Sequence, residues 1–103
     1  AGKPMHLDKV DTIADGTRTD HAEPSNFEII EKLVDELVTA TYDEIRAAMK
    51  EIVATAKMVA EPSSVMGIGA AMAGKLNLKP TDKVCFVLSG GNNDLELLAQ
   101  VIG

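Results

Sequence analysis

Apolar residues in this chain fall into short stripes separated by polar stretches, and the spacing within each stripe predicts the local structure. Residues 1–24 carry no such spacing. They hold Gly, Pro and many charges around "DTIADGTRTDHAEPS", with Asp15-Gly16 as a turn signal. From Ser25 the pattern changes. "SNFE" reads as a capping box, with Ser25 as N-cap and Glu28 reaching back to its amide. Phe27, Ile30, Leu33, Val34 and Leu37 then recur at helical spacing. "ELVTAT" has the alternation and β-branched content of a short strand. The expected organisation is an irregular segment over 1–24 and an α/β partial domain over 25–103.

A second capping box, Thr41 to Glu44, opens the next stripe. Ile45, Met49, Ile52, Val53, Ala56 and Val59 trace one face of a long helix, with Glu44, Arg46, Lys50, Glu51 and Lys57 opposite. The break is "AEPSS": Pro62 removes a backbone donor and disfavours helical geometry at Glu61. Pro also suits the first turn of a new helix, which sets Glu61 at that helix's N-cap. "SSVMGIGAAMAGK" is so rich in Gly and Ala that it forms a helix only where another backbone or a ligand packs closely. After Gly74, the run Val84 to Leu88 is continuously apolar and reads as a strand covered on both faces. Asn92, Asn93 or Asp94 caps a last helix through Leu95, Leu98 and Val101.

The element order is that of an α/β fold. Two strands are too few for a sheet, and the opening "AGKPMHLDKV" lacks both an initiator Met and a signal-peptide core. Both features point to part of a larger unit. The 103 residues suffice for one modest core, and aromatics make up only 3% of them, so that core is aliphatic. The net charge of −6 and the scattered basic residues speak against nucleic acid and anionic membrane surfaces. No apolar run approaches the length of a membrane span. Cys85 is the lone cysteine and reads as a buried, inert thiol in a reducing compartment. The methionines at 49, 58, 66 and 72 read as core filler.

Candidate chemistry is confined to few places. "LSGGN" ends the apolar run, where open α/β sheets bind ligands. It is a plain connection with a capping Asn, or part of a site. As a phosphate cradle it matches neither common glycine-rich pattern. Glu61 is either a helix-capping charge or a carboxylate beside a ligand. "TIADG" is a turn or a pocket lining. His6 and His21 have no metal-ligand spacing with each other or with Cys85, and read as exposed polar residues.

Taken in order, "TIADG", "FEIIEKLVDELVTATYDEI", "AEPS" and "KVCFVLSGGNND" resemble the threonine dehydratase and serine racemase family. These are pyridoxal-phosphate enzymes of the second fold type. The resemblance spans nearly the whole chain but only about the C-terminal third of a family member. It implies the C-terminal portion of that fold's large domain, with helices packed on a partial sheet. It also implies that Ser89 hydrogen-bonds the pyridine nitrogen of pyridoxal 5'-phosphate, and that Glu61 lies on the ring side of the pocket. Gly16 and the pair Gly90 and Gly91 would pass close to the cofactor, and Asn92 would fix the turn. The implied activity is L-threonine/L-serine dehydration to a 2-oxo acid and ammonia, with amino-acid racemisation as the alternative.

Two departures stand out. Asn93 occupies a usually aliphatic position, and Ser63, Ser64 and Val65 stand where Gly or Ala is usual. The family's Schiff-base lysine motif, its phosphate-gripping glycine loop and its acidic divalent-cation residues have no counterpart here. Without that lysine the chain alone is not expected to turn over substrate. A non-catalytic ligand-binding or interaction module is the rival reading. The expected partners are an amino-acid substrate, the N-terminal remainder of the enzyme and further copies in a homo-oligomer, and the expected compartment is the cytoplasm.

Overall fold

In a computed structural model, residues 2–17 and 19–103 are described, and they form two compact units, 1–37 and 38–103. The first unit is built on one tight turn and one helix. At "TIADG", Ala14 is buried, and its carbonyl accepts from the Thr17 amide at 2.9 Å and the Thr17 hydroxyl at 2.8 Å. These bonds wind Asp15–Thr17 into a single 3₁₀ turn. Helix α1 is Pro24–Leu33. It starts before the expected Ser25 cap: Glu23 is the N-cap, without a side-chain cap bond, and Pro24 opens the first turn. Proline's fixed φ is already helical there, so it sets the start ahead of the serine. Val34 turns extended and ends the helix, leaving Leu37 outside it. No residue of α1 is buried within the chain.

The second unit holds the core. Helix α2, Tyr42–Glu51, opens with the expected capping box, in which the Glu44 amide donates to Thr41 Oγ1 and the Thr41 amide donates to Glu44 Oε2 at 2.8 Å. Each side chain satisfies a backbone donor that the first turn leaves without a partner. Ile45, Ala48 and Met49 form its buried stripe. The helix does not run to Val59 as its periodicity suggests. Its last turn, Ile52–Ala56, widens to π geometry and stops at Lys57, whose φ of 58° is left-handed. Thr55 assists by donating its hydroxyl to the Glu51 carbonyl, a local bond that competes with regular helix geometry.

After a 3₁₀ turn at Pro62–Val65 comes helix α3, Met66–Met72. Its small residues serve close packing against α2. A Cβ on Gly69 would sit 2.8 Å from the Glu44 carbonyl oxygen, so only glycine admits this approach. Gly74, at φ 74°, closes α3: its amide reaches Ala71 and the Lys75 amide reaches Ala70, which satisfies the last carbonyls. Lys75 then returns to α2, donating to Glu44 Oε2 at 2.8 Å and to the Thr39 carbonyl at 2.9 Å. Helix α4, Leu95–Ile102, is capped by Asp94, which accepts from the Glu96 amide at 2.9 Å, and it buries Val101. Of the methionines expected inside, Met49 is fully buried, while Met58 and Met72 are exposed.

The expected partial sheet is not shown. Among the described residues neither 36–41 nor 84–88 pairs with another strand. Nor is the apolar run covered on both faces. Phe86 and Leu88 are half-buried, whereas Val84, Cys85 and Val87 are exposed, Val87 at 81%. A central strand gains burial from neighbours on both edges and layers on both faces. Here the Phe86 ring has Gly67 of α3 beneath it, at a distance that gives a glycine Cβ ordinary contact, and the opposite side is open. Cys85 therefore presents an exposed thiol rather than a buried one.

Candidate cofactor-pocket floor

The second unit brings together two segments that are distant in sequence, 59–64 and 89–93. Pro62 leaves Glu61 extended at the start of the 3₁₀ turn (φ −72°, ψ 158°). In that conformation the Glu61 amide donates to the Gly90 carbonyl at 3.0 Å. The Glu61 side chain lies against the same glycine, since a Cβ on Gly90 would meet its Oε1 at 2.9 Å. Ser63 Oγ donates to that Oε1 at 3.0 Å and fixes the carboxyl from the other side. One residue further on, a Cβ on Gly91 would fall 2.5 Å from the Val59 carbonyl oxygen.

Gly91 is thus required by the chain's own packing, while Gly90 leaves room for the Glu61 carboxyl. The sequence suggests close approach to a ligand, while the structure shows close approach to residues 59–61. Ser89 and Asn92 flank the pair and are exposed, and Glu61 is half-buried. Gly16 lies in the first unit, exposed within the Asp15–Thr17 turn. Asn93, read in the sequence as a departure and as one candidate helix cap, turns its amide into the fold. Its Nδ2 donates to the Gly91 carbonyl at 3.4 Å, and its Oδ1 is buried with no hydrogen-bond partner. Ser64 Oγ is likewise buried and unpaired.

The residues present suit the aromatic end of a cofactor better than a phosphate. A hydroxyl stands exposed at the turn, beside two positions without side chains and a carboxyl that is held in place. Among the described residues no lysine or arginine bonds to them. A serine hydroxyl donates a hydrogen bond to a neutral ring nitrogen, which a carboxylate would instead keep protonated.

The sequence profile of the pyridoxal-phosphate dependent enzymes matches residues 1–90. The chain belongs to that family. Among its relatives, the serine racemase of Schizosaccharomyces pombe is 36% identical over 101 residues, which are 98% of this chain and 31% of that protein. The L-threonine ammonia-lyase of Thermotoga maritima is 35% identical over 101 residues, 98% of this chain and 25% of that enzyme. The crystal structure of a threonine deaminase from T.th. superposes with a TM-score of 0.82 at 28% identity, covering 90% of this chain and 33% of that one. The chain therefore spans about a third or less of the family members it matches. No helix among the described residues is long and apolar enough to cross a membrane.

A second cluster lies in the first unit and escaped the sequence reading. His6 and His21 stack with centroids 4.2 Å apart and planes at 23°. His21 Nδ1 meets Asp20 Oδ1 at 2.6 Å, and its Nε2 meets Glu23 Oε1 at 3.2 Å. The hydrogen bond to Asp20, then that to Glu23, raises the His21 pKa above its usual value, and the same bond lowers that of Asp20. The separation of positions 6 and 21 carries no ligand-spacing signal. The Leu7 amide, which donates to the Asp20 carbonyl at 2.7 Å, brings them together.

Proposed function

We propose that this chain carries the ring-nitrogen side of the cofactor pocket in a pyridoxal-phosphate-dependent L-threonine/L-serine dehydratase. The observation that carries the reading is the bonded pair of segments in which Glu61 and Gly90 hold an exposed Ser89 at the rim. Pyridoxal phosphate, when bound, supplies an electron sink that eases loss of the substrate's α-proton and β-hydroxyl. Ser89 donates to the ring nitrogen and leaves it uncharged, which moderates that sink and suits β-elimination. Glu61, anchored by Ser63 and Gly90, shapes the electrostatics beside the ring. Gly91 and Asn93 keep the turn in place.

The remaining catalytic parts, above all the Schiff-base lysine, belong to the rest of the full-length enzyme, and the 103-residue chain by itself has no turnover. In that enzyme residues 84–88 pair within a sheet, and the exposed Leu33, Leu37, Val87 and Leu95 are covered. The full-length enzyme, supplied with cofactor and L-serine or L-threonine, releases 2-oxo acid and ammonia. The similarity to a serine racemase supports a second reading, in which D-serine accumulates instead. Chiral analysis of the products separates the two. Formation of neither product from either amino acid would sink both.

A further inference from the structure

The first unit contains a group of donors that the dehydratase reading does not use. His6, Asp20 and His21 each offer a ligand atom, and these atoms lie within 4.8 Å of one another. Two imidazole nitrogens and one carboxylate oxygen form a donor set suited to borderline dications rather than to calcium or magnesium, which prefer all-oxygen sites. We infer that His6, Asp20 and His21 form a binding site for a transition-metal dication of the zinc, nickel or copper class.

The backbone arranges these donors in advance. The bond from the Leu7 amide to the Asp20 carbonyl, at 2.7 Å, locks the two segments side by side directly next to positions 6 and 21. The site is also accessible: all three residues are exposed, and an open cleft of about 850 Å³ runs past Asp20 and His21.

Little movement separates this arrangement from a chelate. Bonds of about 2.0–2.1 Å in a tetrahedral zinc site put neighbouring ligand atoms roughly 3.4 Å apart. The donors therefore close by an ångström or so, and the His6 ring swings out of its stack so that a nitrogen lone pair faces the ion. His6 is exposed, and its ring contact is the stack on His21. On the His21 side, the ion displaces the proton that the ring shares with its flanking carboxylates. Water completes the coordination shell. Glu23, 3.2 Å from His21 Nε2, accepts from the ring's other nitrogen and orients it, as outer-shell carboxylates do.

Zinc chloride titrated into the 103-residue chain tests this, followed by calorimetry. Cobalt(II) is titrated in parallel, with its visible absorption reporting nitrogen and oxygen coordination. The titrations use Cys85→Ser protein, because the exposed thiol is itself a metal ligand. The expected result is one saturable equivalent per chain. His6→Ala and His21→Ala should each weaken binding by roughly tenfold or more, and Asp20→Asn by a similar factor, as ligand-shell losses generally do. His6→Gln serves as a milder variant, and circular dichroism checks that each protein keeps its helices. The inference is overturned by zinc binding of equal strength in His6→Ala protein, or by no saturable binding in the Cys85→Ser parent. In the latter case the cluster is only a histidine pair sharing a proton with acidic neighbours.

Discussion

At positions 90 and 91 two adjacent glycines face obstacles of different kinds, and one added methyl group at each distinguishes them. A Cβ at 91 meets the Val59 backbone carbonyl at 2.5 Å, which moves only if the chain moves. A Cβ at 90 meets the tip of the Glu61 side chain, which can rotate away. Gly91→Ala should therefore destabilise the second unit by about 1–3 kcal/mol, the usual cost of overpacking. Gly90→Ala should cost clearly less while displacing the Glu61 carboxyl. Urea midpoints of the two variants, compared with the parent, check the order. Equal losses would mean that the turn does not rest on Val59. At this scale the sequence was legible for residue type and not for reason. "LSGGN" announces a sharp turn, but a one-dimensional pattern cannot say that its glycines face residues 59–61. Nor could spacing reveal His6 beside His21, since a single backbone bond between Leu7 and Asp20 decides it.

Among the helices, legibility followed how local the deciding interaction is. Thr41 and Glu44 satisfy each other's amides within one turn, so their capping box could be read directly. The Ser25–Glu28 box had equal sequence support but lost to Pro24, one residue earlier. The α2 stripe extends past the point where the helix stops, because apolar spacing says nothing about the wide turn at Ile52–Ala56. The tie between α2 and α3 adds a pH dependence. Glu44 has its pKa lowered chiefly by the hydrogen bond from Lys75, with the Thr41 amide second. A carboxyl whose folded pKa is depressed adds stability that is present above its unfolded pKa and lost as pH falls through that value toward the folded one. Stability of the parent should therefore fall between neutral and acid pH more steeply than that of Glu44→Gln. Urea titrations across that range check this, and parallel curves would show that the Lys75 contact contributes nothing.

As a whole, the chain displays more apolar surface than its own core can cover, with Leu37 at 78%, Val87 at 81% and Leu95 at 79% exposed. The α/β class was read from two strand-like runs that pair with nothing among the described residues, and their sheet belongs to the proposal for the full-length enzyme. Sheet pairing is non-local, and no partner strand lies among the described residues. Hydrogen exchange reads this directly: amides of residues 84–88 should exchange rapidly in the 103-residue chain and slowly in the full-length enzyme. Fast exchange in both would deny the strand. The proposed role of Ser89 at the cofactor's ring nitrogen is tested by the absorption spectrum and turnover of Ser89→Ala in the full-length, cofactor-loaded enzyme. A shifted cofactor band is expected, with kcat for 2-oxo acid formation lowered by roughly tenfold or more, as for loss of a hydrogen bond to a reacting group, while the fold is retained. An unchanged spectrum together with full turnover would contradict it.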